Sequence, residues 1–426
     1  MGGMEAAEAS AAPVSGWVPP ARPEWVSALN HVGDIVGADT LVSLDEASLL
    51  AAATQLTGLT DFGPDESWRE PFTLLLADIQ SQANLNLIGR VLTRFDLLRA
   101  LSTLLRMADA ELRNPAILDT PISEPIFITG MGRTGTSILH ELMGQDAQLR
   151  APCGHELRYP VPAAVDEAAQ QIRIGDVAAE IALWESVIPE LTALHEMTAA
   201  GPEEDSVAEA LAFASQVWMA THRVPSFDMW MAMSGWPNAF RFLRRVLQHL
   251  QHGRPARRWL LKGIYLAGLP QLFAEFSDAR VVMTHRDPIS VLPSAANLLA
   301  TLRWQRTDRV DYSEIAAPLT MGVPFLFDML VDQRDSGALP ADRFLDVRFA
   351  DLMADHLSVI GGIYQWIGLE LSTETASSMR RYLDAKPRGR HGDKTYRFSD
   401  LGVEETQMRQ TVSRYVTRFD IPQETR

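Results

Sequence analysis

The sequence predicts an α/β fold, a parallel sheet flanked by helices, with an N-terminal helical extension and a helical insertion. Three observations carry that prediction. Short β-rich runs at 125–129, 258–262, 280–285 and 343–347 are each followed by a helical pattern, at 137–143, 266–276, 291–302 and 356–367. Apolar strands alternating with helices of that length imply a parallel sheet, because each crossover helix covers one of its faces. The first run opens into Gly130-Met-Gly-Arg-Thr-Gly-Thr-Ser137, a glycine-rich strand-to-helix turn of the P-loop type. Ahead of it, apolar residues recur three and four apart through Phe72–Ile79 and Leu85–Leu105, which is a helical period.

In chain order, residues 1–21 are rich in Ala, Ser, Pro and Gly, carry Glu5 and Glu8, and read as a disordered lead-in with no basic segment before an apolar one. Residues 22–120 form the helical region. Its Asp61-Phe62-Gly63 triplet matches a kinase metal-binding motif, but without a kinase catalytic loop elsewhere it reads as a turn between helices. Residues 121–426 form the α/β domain, with the helical, Trp- and Met-rich insertion 154–257 between its first two strands. An insertion there commonly shapes a substrate pocket. Trp218, Met219, Met229, Trp230, Met231, Met233 and Trp236 are apolar wall candidates, with core packing the simpler role for each.

The net charge of −16 repels polyanions at long range, which argues against a nucleic-acid partner while leaving a nucleotide admissible at a local Arg/Lys cluster. One cysteine, Cys153, permits neither an intramolecular disulfide nor a Cys-based zinc site, and fits a reducing, cytoplasmic setting. No run approaches the length and apolarity of a membrane span. A homo-oligomer is compatible with all of this.

The frame Gly130-x-x-x-x-Gly135-Thr136-Ser137 has Walker A spacing, yet Thr136 stands where a triphosphate-binding loop carries lysine. The basic residue is instead Arg133, which points to a nucleotide whose 5′ group is not a triphosphate. Backbone N–H groups aimed by the strand-to-helix turn, close approach at Gly130, Gly132 and Gly135, and the hydroxyls of Thr136 and Ser137 together make an anion cradle. A second strand, 280–285, ends in His285-Arg286-Asp287, with Ser294 eight positions beyond Arg286. Two anion sites at the carboxyl ends of parallel strands suggest a nucleotide phosphorylated at two distant positions.

On these two stretches the chain resembles the cytosolic-type and bacterial sulfotransferases. The resemblance extends to Thr57-Gly-Leu-Thr-Asp-Phe-Gly63, Trp259-Leu-Leu-Lys-Gly263 and Tyr415-Val-Thr-Arg-Phe419. It implies 3′-phosphoadenosine 5′-phosphosulfate (PAPS) as donor, 3′-phosphoadenosine 5′-phosphate (PAP) as product, no metal, and a hydroxyl or amine of a small-molecule, lipid or carbohydrate acceptor. Gly132, Arg133, Thr134, Gly135, Thr136 and Ser137 would then hold the 5′-phosphosulfate, and Arg286 and Ser294 the 3′-phosphate. Lys262 would counter charge on the sulfuryl or leaving phosphate oxygens. Arg388, Arg390, Lys394 and Tyr396 would belong to a basic loop closing over the nucleotide, with Lys394 where similar chains carry His.

Sulfuryl transfer also needs a base for the acceptor proton. The resemblance directs attention to Glu156, with His155 beside it and His195 ahead of Pro202-Glu-Glu-Asp205 as rivals. Glu203-Glu-Asp205 itself reads as an acidic cluster complementing a helix dipole. The competing functions are a P-loop kinase or NTPase, disfavoured by the missing lysine, and a non-catalytic nucleotide-binding protein.

Overall fold

The computed structural model describes residues 16–161, 166–236, 238–386 and 396–424. Its sheet has five strands: β1 Ile126–Gly130, β2 Leu149–Arg150, β3 Arg258–Lys262, β4 Arg280–His285 and β5 Phe344–Arg348. They lie in the order β2-β3-β1-β4-β5, and each neighbouring pair is parallel. The predicted class is thus the observed one. β3 and β4 match the expected bounds, β1 and β5 are shifted by one residue, and two-residue β2 was not foreseen.

β1 is buried along its whole length, as a central parallel strand must be. Its side chains alternate between two cores: Phe127 packs with Val281 and Tyr265 on one face, while Ile126 and Ile128 pack with Leu139, Val282 and Ile360 on the other. Register decides what meets at the carboxyl edge. Ile128 lies opposite Lys262 and Gly130 opposite Thr284, so the glycine loop leaves the sheet between Lys262 and Arg286.

The extension contributes the helices Glu46–Thr57, Arg69–Ser81 and Leu87–Arg113, and Leu49, Phe72 and Leu101 share one apolar cluster with Phe127 and Val281. Asp61–Gly63 is a turn, with the Gly63 N–H donating to Asp61 Oδ1 at 2.8 Å. The Leu87–Arg113 helix is clamped to the α/β part at Gly89, where a Cβ would stand 1.9 Å from the Arg306 carbonyl oxygen. Nearby, the fully buried Arg306 donates to Asp96 Oδ2 at 2.8 Å.

The insertion is helical as expected, running from Gly154–Arg158 through Ala239–Gln251. One expectation needs correcting. Tyr312–Asp335, 24 residues of mean hydropathy 1.4, is long and apolar enough to cross a membrane, although half of its most apolar window is buried inside the fold. The stretch escapes a simple scan because three short helical segments share it.

Candidate active site

The glycine loop holds its shape through close approach. Gly130 has φ +153°, and a Cβ there would lie 2.5 Å from the Thr284 carbonyl oxygen; Gly135, at φ +91°, would press Leu352 and Phe349. Arg133 adopts φ +73°, a left-handed conformation uncommon outside glycine. Thr134 turns inward: its buried hydroxyl meets Thr284 Oγ1 at 2.7 Å and donates to the Met131 carbonyl at 2.5 Å. Its side chain therefore anchors the loop, leaving only its backbone N–H for an anion. Thr136 and Ser137 open the helix Thr136–Met143, with Ser137 exposed in its first turn. Phosphate oxygens fit this arrangement, because a helix N-terminus, two hydroxyls and a guanidinium converge where side chains would clash with the backbone.

Lys262 reaches this loop from the end of β3. Its Nζ donates to Ser137 Oγ at 3.3 Å and pairs with Glu204 Oε2 at 3.0 Å. Burial alone would lower its pKa, but Glu204 and Glu203 outweigh that and hold it above the ordinary lysine value as an ammonium. Glu204 is the mirror case: burial would raise it, while the Lys262 ammonium keeps it below the usual carboxylate range. Its side chain remains 17% exposed.

Glu204 arrives there because two insertion segments are pinned to the sheet. The Glu203 N–H donates to the Pro152 carbonyl at 3.0 Å, and the Asp205 N–H donates to the Lys262 carbonyl at 3.1 Å. Behind it the Tyr265 hydroxyl donates to the buried Asp205. Burial, against that hydrogen bond and with help from Glu204, pushes the Asp205 carboxyl up to about 8. Its neighbour Glu209 is raised by burial and by Asp205. The acidic trio stands at the N-terminus of the helix Ser206–Glu209, as expected, with Glu203 and Asp205 buried and Glu204 turned to the lysine.

His195 belongs to the same group. Burial, Lys262 and Arg133 depress its pKa, against Glu203 and Glu204, so its imidazole is neutral. Arg133 Nη1 donates to the Leu194 carbonyl at 3.0 Å, tying the loop to the residue before it. The other two proposed bases have different partners. Glu156 Oε1 accepts from Arg150 Nη2 at 2.9 Å and Oε2 from the Cys153 N–H at 3.0 Å, and Arg254 stands 3.7 Å away. It caps its own helix and neutralises two arginines, so the carboxylate expected as a base is already committed. His155 is buried and donates from Nδ1 to the Ala199 carbonyl at 2.8 Å.

The second anion site meets the first. Arg286 Nη1 donates to the Arg133 carbonyl at 2.9 Å, and its guanidinium stacks 3.9 Å over Phe349, the ring that also flanks Gly135. Ser294 is buried and hydrogen-bonds Tyr396, which lies within the field of Arg133. Arg388, Arg390 and Lys394 fall outside the described residues. Of the apolar wall candidates, Trp218, Met231 and Trp236 are core residues, whereas Met229 and Met233 are exposed. Among the described residues, no group of three His, Cys, Asp or Glu side chains is arranged to hold a metal ion.

A parallel sheet with a glycine loop, Arg286 and a lysine–glutamate pair at its carboxyl edge has the layout of a group-transfer enzyme. The sulfotransferase family model matches residues 125–373, and the chain belongs to that family. It is similar to the solved sulfotransferase STF1 from Mycobacterium tuberculosis H37Rv, at 28% identity and a TM-score of 0.75 over 87% of this chain and 98% of that one. Sulfotransferase STF9 from Mycobacterium avium shares the fold, at 24% identity and a TM-score of 0.79 over 89% and 98%. No curated protein sequence matches the chain. The family sets aside the kinase, NTPase and non-catalytic readings: the activity is sulfuryl transfer.

Proposed function

We propose that this sulfotransferase takes PAPS as donor and transfers its sulfuryl group to the hydroxyl of a small-molecule, lipid or carbohydrate acceptor, with PAP as product. The observation that carries the reading is Lys262, whose ammonium bridges Ser137 of the glycine loop and the Glu204 carboxylate. The backbone of Gly132–Ser137, the Thr136 and Ser137 hydroxyls and Arg133 would hold the 5′-phosphosulfate. Arg286, Ser294 and Tyr396 would hold the 3′-phosphate, with Arg388, Arg390 and Lys394 supplying the closing loop.

Transfer forms a bond from the acceptor oxygen to sulfur and breaks the bond from sulfur to the bridging phosphate oxygen, whose electrons leave with PAP. The acceptor proton goes to Glu204. In the resting pair Lys262 quenches that carboxylate's basicity. As negative charge develops on the bridging oxygen, the ammonium transfers its pairing to it, and Glu204 regains basicity when the proton must be taken. His195, neutral and beside both, lines the acceptor side. No step requires a metal.

Calorimetry with PAP and 5′-AMP tests the donor, and Glu204→Gln tests the base. PAP should bind roughly ten- to a hundredfold more tightly than 5′-AMP, the worth of a charge-assisted phosphate contact. Glu204→Gln should keep PAP affinity while turnover falls by roughly 10²–10⁴. Equal affinity for the two nucleotides would overturn the donor reading. An active Glu204→Gln enzyme alongside an inactive, folded His195→Ala would give the proton to the histidine.

A further inference from the structure

Arg286, assigned above to the donor's 3′-phosphate, already grips an anion of this chain. Its Nε donates to Glu424 Oε1 at 2.7 Å and its Nη2 to Glu424 Oε2 at 2.9 Å, a two-pronged contact of fork on carboxylate. Such a contact uses the same donors and planar geometry by which arginine recognises phosphate. Nη1 donates to the Arg133 carbonyl. Glu424 thus occupies the Nε/Nη2 fork of Arg286, one of the two faces a phosphate could take.

The residues around Glu424 hold it there. Its backbone N–H donates to Asp287 Oδ2 at 2.9 Å, and that oxygen also receives Arg409 Nη1 at 3.3 Å. Three residues earlier, Ile421 is buried and its N–H donates to the Val416 carbonyl at 3.0 Å. The segment is thus latched to the loop that follows β4. The ion pair is itself partly open, with side chains 24% and 31% exposed, so it can be exchanged for another anion at small cost.

We propose that Glu424 is a built-in competitor for the Arg286 subsite: its carboxylate and a nucleotide 3′-phosphate take the guanidinium in turn. Donor entry unlatches residues 420–424, and their return speeds departure of the bisphosphate product. The tether keeps the competitor at high local concentration, so it acts without any external ligand. Its advantage over a doubly charged phosphate is nil once donor is abundant, so it would tune release without blocking entry. This inference rests on the nucleotide reading given above.

Calorimetry on the full chain with PAP and 5′-AMP, for wild type, Glu424→Gln, Arg286→Ala and the double variant, decides it. Glutamine keeps the shape and removes the charge. Glu424→Gln should tighten PAP by about two- to fivefold, the range expected of a partly exposed ion pair, and leave 5′-AMP unchanged. In the Arg286→Ala background the same change should do nothing. Hydrogen exchange at the Glu424 amide should accelerate when PAP is added to wild type. Unchanged or weaker PAP binding by Glu424→Gln, with wild type still preferring PAP to 5′-AMP, would overturn the competitor and leave the nucleotide reading intact. If wild type fails to distinguish the two nucleotides, that reading falls and the competitor with it.

Discussion

Residue by residue, the chemistry gathers on groups that few sequence cues would bring together. Lys262 and Glu204 are distant in the chain, and the hydrogen bonds from the Glu203 and Asp205 N–H groups to Pro152 and to the Lys262 backbone set the glutamate on the ammonium. Glu203, Glu204 and Asp205 look alike in sequence. Burial gives them separate roles, since Asp205 faces Tyr265, Glu203 faces Arg158 at 3.5 Å and Glu204 faces Lys262. Glu156 is ambiguous for the converse reason: a Glu three residues after a helix start reads equally well as a base and as a cap, and the structure shows the capping contact. Glu156→Ala should therefore leave turnover largely intact while destabilising the fold by about 1–3 kcal/mol, because Arg150 loses its partly buried partner. Denaturant melts beside a turnover assay would check both halves.

Asp205 carries a pH signature. Its folded pKa, about 8, lies above its unfolded value near 3.8, so the folded state binds this proton more tightly. The stability it contributes is present below pH 4 and is lost as pH rises toward 8. Asp205→Asn should flatten that fall. Thermal melts of both proteins from pH 4 to 9 should show wild type losing ground to the variant across the window and no further above it.

Among the elements, the strands were the most legible. β3 and β4 are runs of apolar residues ending in Lys262 and in His285 with Arg286 just beyond, and a buried parallel strand leaves few other readings. β2 was not legible, because two residues carry no periodicity and its pairing with Arg258 and Trp259 is a tertiary event. The glycine loop was recognisable as an anion cradle, but composition could not show that Thr134 points down to Thr284. Gly130→Ala should collapse nucleotide binding, since its Cβ would collide with the backbone of β4. Circular dichroism would confirm a retained fold, and calorimetry should find PAP affinity lost by tenfold or more, the order expected when charge-assisted contacts are misplaced.

Across the whole molecule, the extension and the sheet are packed as one body. Leu97, Leu101 and Phe72 join the cluster that covers one sheet face, and Asp96 neutralises Arg306 in a site closed to solvent. Asp96→Ala would strand that guanidinium in the interior. It should cost about 3–5 kcal/mol, as expected when one partner of a buried pair is removed. Chemical denaturation would measure it, and a loss under 1 kcal/mol would show that water reaches Arg306.

The same clamp governs how the chain is born. The groove at Gly89 has no counterpart until Arg306 has been synthesised, and until then Asp96 has only its helix neighbour Arg99 as a partner. At roughly 5–20 residues per second, the Leu87–Arg113 helix waits on the order of ten seconds or more for Arg306, covered meanwhile by Glu46–Thr57 but not by the sheet-side half of its cluster. Nascent chains arrested before residue 306 should therefore be more protease-sensitive in their first hundred residues than chains in which Arg306 is in place.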